Sequence, residues 1–319
     1  MLGLFKKRVD RNALASVCVG ERGVALARVR REEKLPPVLE QALFQAVQSP
    51  EEMTSALPRL VKSQQLDGAV GITTLELGSY ALVLVEAPDV KPDELRAAIR
   101  WRVRDLIDFH IDDAVVDAFE IPQKNAAGHN RMMYAVVART NEVRVLIDQL
   151  TQAGLRLEVV DIPELALRNI ASLLPEDSGG VALLHLGAKR GLIIITRQQK
   201  LYMSRRIETG LSALPDTAVH AGDRDTIEDW LDGINREIQR SLDYYDSHFQ
   251  EPPVSAVVVC PTGGEIPGMA QYMNEQLGIP VRMLDVNGII DTETPLDAAT
   301  QADCLLAIGA ALRQESRTL

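Results

Sequence analysis

Two stretches of this chain carry the same device: an apolar run meets a glycine, a charged tip, a second glycine and another apolar run. In VALLHLGAKRGLIIIT, residues 181–196, Gly187 and Gly191 flank Lys189 and Arg190. Near the start, in SVCVGERGVALA, residues 16–27, Gly20 and Gly23 flank Glu21 and Arg22. Each reads as a tight β-hairpin whose strands are buried on both faces. One such hairpin opening each half of the chain is what a duplicated, nucleotide-clasping fold would show.

At 319 residues the chain exceeds one small core, which predicts two domains. Aromatic residues make up only 4%, so the core must be built from Val, Leu, Ile and Ala. A net charge of −11 argues against non-specific nucleic-acid binding, which needs a basic surface. No apolar run approaches the roughly 20 residues of a membrane-spanning helix. Cys18, Cys260 and Cys304 are widely spaced among apolar residues, the pattern of buried, reduced thiols in a cytoplasmic protein. The start, MLGLFKKR, is too short for the apolar part of a signal peptide. Residues 1–8 are either a frayed terminus or a weak contact with anionic lipid.

Along the chain, three strands, a helix opened by Pro50 and two further strands point to an α/β layer sandwich. From Pro92 to Phe109 the spacing turns helical, with Leu95, Ile99, Val103 and Leu106 on one stripe. Arg96, Arg100 and Arg104 line another, either a solvated face paired with nearby aspartates or a docking face for an acidic partner. Strands at 114–121 and 132–139 flank a polar loop, 123–131, and a helix follows to Ala153, so 88–153 reads as an inserted α/β unit. A strand ending in Asp161-Ile162-Pro163 leads through a helix to a hinge, Pro175 to Gly180. After the second hairpin and a third strand, residues 209–225 have no sustained period and read as a loop. The longest helix, 225–249, comes next, then a strand, the turn Thr262-Gly263-Gly264, helices at 267–277 and 302–313, and a strand between them at 281–284. The halves divide as 1–87, the insert 88–153, a completing piece 154–178 and a second domain 179–319, whose last helix is expected to pack back near the first.

Familiar catalytic motifs are missing: there is no G-x-S-x-G, no Walker loop and no G-x-G-x-x-G, and the five histidines are scattered, so no metal site is expected. The order of the remaining parts is more specific. MLGLFKKR, DLIDFHIDDAVVDAFEIP, LTQAGLRLEVVDIPELAL, REIQRSLDYY, PTGGEIPGM and LLAIGAALR resemble, in order, stretches of the pilus-assembly family PilM, with the MshI branch of mannose-sensitive haemagglutinin pili the nearest likeness.

That resemblance implies an actin-like, ribonuclease H-like duplicated two-domain α/β fold with an inserted α/β subdomain. It also implies an ATP or ADP site with Mg²⁺ in the cleft. The glycines Gly20, Gly23, Gly187 and Gly191 would cradle phosphates. Glu237, Arg240 and Ser241 would face the ribose, and Thr262, Gly263 and Gly264 the adenine. Asp161 stands where the fold places its water-positioning residue, with capping of the following helix as the plain alternative. Cys18 and His185 stand where the fold has metal-holding aspartates, Ala25 where it often has a lysine, and the second-domain lobe is reduced to 209–225. By the same resemblance the partner would be the cytoplasmic tail of a bitopic inner-membrane protein of the PilN or MshJ kind, seated between the first domain and the insert. Two functions compete: a cytoplasmic scaffold that has lost its ATPase chemistry, and a nucleotide-switched ATPase. Filament formation is a minor third.

Overall fold

The computed structural model describes residues 13–31, 35–66, 68–122 and 131–314. The stretch 1–8 and most of the polar loop at 123–131 lie outside these. The first half contains β1 (Ala13–Gly20), β2 (Gly23–Arg30), β3 (Val38–Ala46), α1 (Pro50–Ser63) and β4 (Val70–Thr74). The insert follows: β5 (Tyr80–Glu86), α2 (Leu95–Val103), β6 (Ala114–Glu120) and β7 (Met132–Arg139). It begins at Tyr80 rather than at 88 as the sequence reading had it, because β5 pairs with β7. Then α3 (Thr140–Gln152), β8 (Arg156–Asp161) and α4 (Pro163–Ala171) return to the first half.

The second half runs β9 (Val181–Leu186), β10 (Gly191–Arg197), β11 (Lys200–Ile207), α5 (Asp216–Ala221), α6 (Arg224–His248), β12 (Ala256–Val259), α7 (Met269–Leu277) and β13 (Val281–Met283). It closes with β14 (Asp291–Thr292) and α8 (Ala298–Ala311).

The two large sheets repeat one topology. The first has the order β14-β3-β2-β1-β4-β8 and the second β11-β10-β9-β12-β13. In each, three antiparallel strands are extended by two parallel ones: β4 beside β1 and β8 beside β4, then β12 beside β9 and β13 beside β12. This is the duplicated, actin-like architecture. The second hairpin is as dry as its sequence predicts, every residue of β10 being buried, whereas the first is only half-buried toward its tip, at Cys18, Val19 and Gly20.

Between the sheets lies one shared core. α4 and α8 fill it, joining Leu167 and Ile170 to Leu305 and Ile308 and to strand residues of both halves, such as Ala27, Leu183 and Leu192. The helices cross tightly because Gly309 lies on the backbone of Ala166, where a Cβ would stand 2.3 Å from the carbonyl oxygen. On the outer face of the second sheet, α6 buries Ile227, Leu231, Ile234 and Ile238. Its first turn is held by Asp223, whose side chain accepts from the Thr226 amide.

Several boundaries differ from the sequence reading. α2 stops at Val103 and passes into a 3₁₀ turn, Arg104–Leu106, so Leu106 leaves the buried stripe and is 56% exposed. Residues 209–225 are not a plain loop: they form a 3₁₀ turn, Leu211–Ala213, and α5, closed by Gly222 at φ 63°. A six-residue helix is too short to show a period. α8 starts at Ala298, four residues early, because Asp297 caps it by accepting from the Thr300 amide at 2.7 Å. β14, two residues long, joins the first sheet beside β3 without any local signal. Among the described residues no helix is long and apolar enough to cross a membrane.

Candidate functional site

The hairpin tips meet across the cleft between the halves. At the first, Gly20 opposes Gly23, and a Cβ on Gly23 would stand 2.2 Å from the Gln45 carbonyl oxygen of β3. At the second, the Gly187 amide donates to the Arg190 carbonyl at 2.9 Å. Lys189 Nζ of the second tip lies 2.6 Å from Glu21 Oε2 of the first. Arg22 pairs with Asp303 of α8, and Arg190 Nε sits 3.2 Å from Glu208 Oε2. Each basic group at the tips therefore faces a carboxylate of this chain.

Two of the tip amides that a phosphate would use, those of Gly187 and Glu21, are engaged within the chain. The Glu21 amide donates to Glu76 Oε1 at 3.4 Å, a carboxylate supplied by the turn after β4. Over the second tip, the amides of Leu211 and Ser212 donate to the carbonyls of Gly187 and Ala188 at 2.9 and 2.8 Å. Gly210 lies so close that a Cβ would stand 2.5 Å from the Ala188 oxygen. The stretch after β11 thus folds down onto the tip.

Deeper in the cleft, the Thr74 hydroxyl donates to Cys18 Sγ at 3.2 Å, and burial pushes the thiol pKa up. Desolvation, with Arg22 adding to it, pulls His185 down to about 4, and its Nδ1 has no hydrogen-bond partner among the described residues. A neutral thiol and a neutral imidazole are not the hard oxygen ligands that Mg²⁺ takes, so this donor set does not suit a magnesium phosphate. Among the described residues, no three His, Cys, Asp or Glu side chains cluster as a metal would need.

The other cofactor candidates sit in separate surroundings. Glu237 lies between Arg240 Nη1, at 2.6 Å on its own helix, and Arg205 Nη1 of β11, at 3.7 Å. The Ser241 hydroxyl donates back to the Glu237 carbonyl at 2.7 Å. The Thr262 hydroxyl closes its own turn on the Gly264 carbonyl at 2.7 Å. Gly263, at φ 84°, faces Ala302 of α8.

A cavity of about 720 Å³ lies elsewhere, between the first domain and the insert. Its long walls are runs of consecutive residues, Glu158 to Asp161 on β8 continuing to Ile162, and Asp117 to Glu120 on β6 continuing to Pro122. Consecutive lining means that these strands are seen edge-on, since successive side chains point to opposite faces. Both are outermost strands of their sheets, β8 of the first large sheet and β6 of the insert's sheet, ordered β5-β7-β6. The floor is apolar, with Leu75, Val136, Ile162 and Leu165, and the second domain supplies Gln199, Lys200 and Leu201.

Asp161 closes one end. Its Oδ1 accepts from the Ile162 amide at 2.9 Å and its Oδ2 from Arg313 Nη1 at 2.6 Å. Burial pushes its pKa up, against the pull of Arg313. The first turn of α4 takes no side-chain cap.

Of the three aligned arginines, Arg96 lines this groove and lies 3.7 Å from Asp117. Arg100 donates to the carbonyls of Ala114 and Ile111 at 2.7 and 2.5 Å, and Arg104 pairs with its neighbour Asp105. The sequence reading missed Glu76, Arg313 and a group at the junction of the three bodies, buried Tyr80 and Glu164 with half-buried Arg206. The Tyr80 hydroxyl donates to Glu164, which is fully buried, and Arg206 Nη2 donates to the Tyr80 carbonyl at 2.7 Å. Only a buried glutamate after Pro163 could have hinted at it.

Residues 45–228, more than half of the chain, match the family described as type IV pilus assembly protein PilM. Among solved structures the chain is similar to the PilM-PilN type IV pilus biogenesis complex, at TM-score 0.75 and 19% identity, over 94% of this chain and 97% of that one. It is also similar to the cytoplasmic domain of EpsL, an inner-membrane component of the type II secretion system of Vibrio cholerae. There the TM-score is 0.50 and the identity 11%, over 95% and 96% of the two chains. No curated protein sequence matches.

Proposed function

The chain belongs to the PilM family of type IV pilus assembly proteins, and we propose that it is a cytoplasmic scaffold of the assembly platform, held at the inner membrane by the tail of a bitopic partner of the PilN kind. Within the family we assign it to the MshI branch, whose partner would be of the MshJ kind. The observation that carries this reading is the groove between β6 and β8. Two strand edges that are unpaired among the described residues and face an apolar floor suit an extended peptide, which pairs its backbone with an edge and sets alternate side chains into pockets.

Loss of ATPase chemistry belongs to the same proposal. It is supported by the occupied tip amides, the Glu76 carboxylate at the first turn, and the neutral pair Cys18 and His185. A nucleotide-switched ATPase is the competing reading, favoured by the glycine tips alone.

The test is direct binding of a synthetic peptide, the cytoplasmic segment of the PilN-like protein of the same organism, to the full chain. Val159→Arg, which puts a long cation at the groove wall, is expected to weaken binding at least tenfold in protein that circular dichroism shows to be folded, a check needed because Val159 also packs against Ile72 and Ala166. Binding that ignores this substitution would place the tail elsewhere and end the reading.

A further inference from the structure

The groove has a third wall, and that wall belongs to the other half of the molecule. Its two long sides sit on different sheets: β8 is fixed in the first domain, whereas β6 is carried by the insert. The insert leaves the first domain after β4 and returns at α3. The width of the groove therefore depends on how the insert's sheet is tilted, and the structure braces that tilt against β11.

Three contacts make the brace. The Ser204 amide, on the outer strand of the second sheet, donates to the Tyr134 hydroxyl of β7 at 3.1 Å. Arg206 holds the Tyr80 carbonyl of β5, and its guanidinium lies 4.8 Å from the Tyr80 ring centroid. At the start of the same strand, Lys200 and Leu201 line the groove itself.

Tyr134 also faces the groove through one neighbour. It is the cross-strand partner of Phe119, with ring centroids 5.5 Å apart, and Phe119 lines the cavity. A packed relay thus runs from Ser204 through Tyr134 and Phe119 to the wall.

The turn into β11 is itself pinned to the interdomain hinge. Gln198 and Gln199 take left-handed backbone, at φ 51° and 65°. Buried Asp177 fixes them: its carbonyl accepts from the Gln198 amide at 2.9 Å, and its Oδ2 from the Gln199 amide at 2.6 Å. A change in the angle between the halves would therefore carry β11 with it.

We infer that β11 sets the groove's width, with Tyr134 and Arg206 as positioning residues, so that a tail in the groove and the angle between the two halves control each other. This rests on the groove being the tail's site. Linkage makes the coupling reciprocal: whatever the brace does for the tail, the tail does for the brace.

The experiment uses the full chain and the same synthetic peptide. Tyr134→Phe removes only the hydroxyl, and Arg206→Ala removes the second strut; neither side chain lines the groove. The double variant is expected to bind the peptide five- to twentyfold more weakly. In the unsubstituted protein, the peptide is expected to slow hydrogen exchange at the amides of residues 204–207 at least fivefold, an effect a merely stabilising residue would not create. If the double variant folds poorly, Tyr134→Phe alone with the exchange measurement decides. Peptide binding within twofold in the variants, or exchange in β11 unchanged by the peptide, overturns the inference and leaves the groove reading standing. No peptide binding to the unsubstituted protein overturns both.

Discussion

Arg313 Nη1 lies 2.6 Å from Oδ2 of Asp161, so the end of α8 is tied to the end of β8, and the chain's last described helix closes the groove that its middle strands open. The pair is almost dry, with Asp161 2% and Arg313 17% exposed in their side chains. Here the carboxylate accepts a hydrogen bond from a guanidinium.

Removing one member of a buried pair leaves the other without its counter-charge, a loss of about 3 kcal/mol or more. Arg313→Ala is therefore expected to destabilise by about 3 kcal/mol in urea unfolding. Adding Asp161→Asn should restore most of it, because the uncompensated charge is gone. Equal losses in the single and double variants would show that Arg313 acts through packing alone.

Nucleotide should leave stability unchanged. A ligand that binds only the folded chain at ten times its dissociation constant would add about 1.4 kcal/mol. For a chain of this size that is a rise of about 2 °C or more. With the first-tip amide on Glu76 and no oxygen ligand at Cys18 or His185, millimolar MgATP is expected to give no shift in thermal denaturation. A reproducible rise of that size would revive the switched-ATPase reading.

His185 predicts a specific acid sensitivity. Its folded pKa is about 4 against an ordinary 6.5, so between these values the unfolded chain binds a proton that the folded chain does not. Stability from this group is full above pH 6.5 and is lost as pH falls toward 4. The loss amounts to at most about 3 kcal/mol. His185→Gln should flatten that part of the pH–stability curve. An unchanged slope would mean that His185 is solvated.

What the sequence made legible was whatever repeats locally: the two glycine hairpins, the apolar strands, and the long stripe of α6. Asp161 could be picked out as a strand-end carboxylate, but not its partner, because Arg313 lies 152 positions further on. The same holds for Glu76 beside Glu21 and for Arg206 beside Tyr80: such pairs exist only once the sheets are assembled. α5 and β14 were invisible for a different reason, being too short to establish a period. Residues 209–225 read as a loop, and nothing in their composition foretold that Leu211 and Ser212 would bond to the second tip.

Two helical glycines separate a packing role from mere propensity. Gly309 of α8 lies on the Ala166 backbone, and its carbonyl accepts from Asn169 Nδ2 at 2.9 Å, so a methyl group there has nowhere to go unless α4 moves. Gly309→Ala is expected to destabilise by about 2–3 kcal/mol, as overpacking against backbone does, and to loosen the core shared by the halves. Gly233 of α6 has no atom within 4 Å of where its Cβ would be. Gly233→Ala should stabilise by up to about 1 kcal/mol, the difference in helix propensity. Chemical denaturation of both variants checks this pair of signs, and a Gly309→Ala protein as stable as its parent would show that the α4–α8 crossing is looser than drawn.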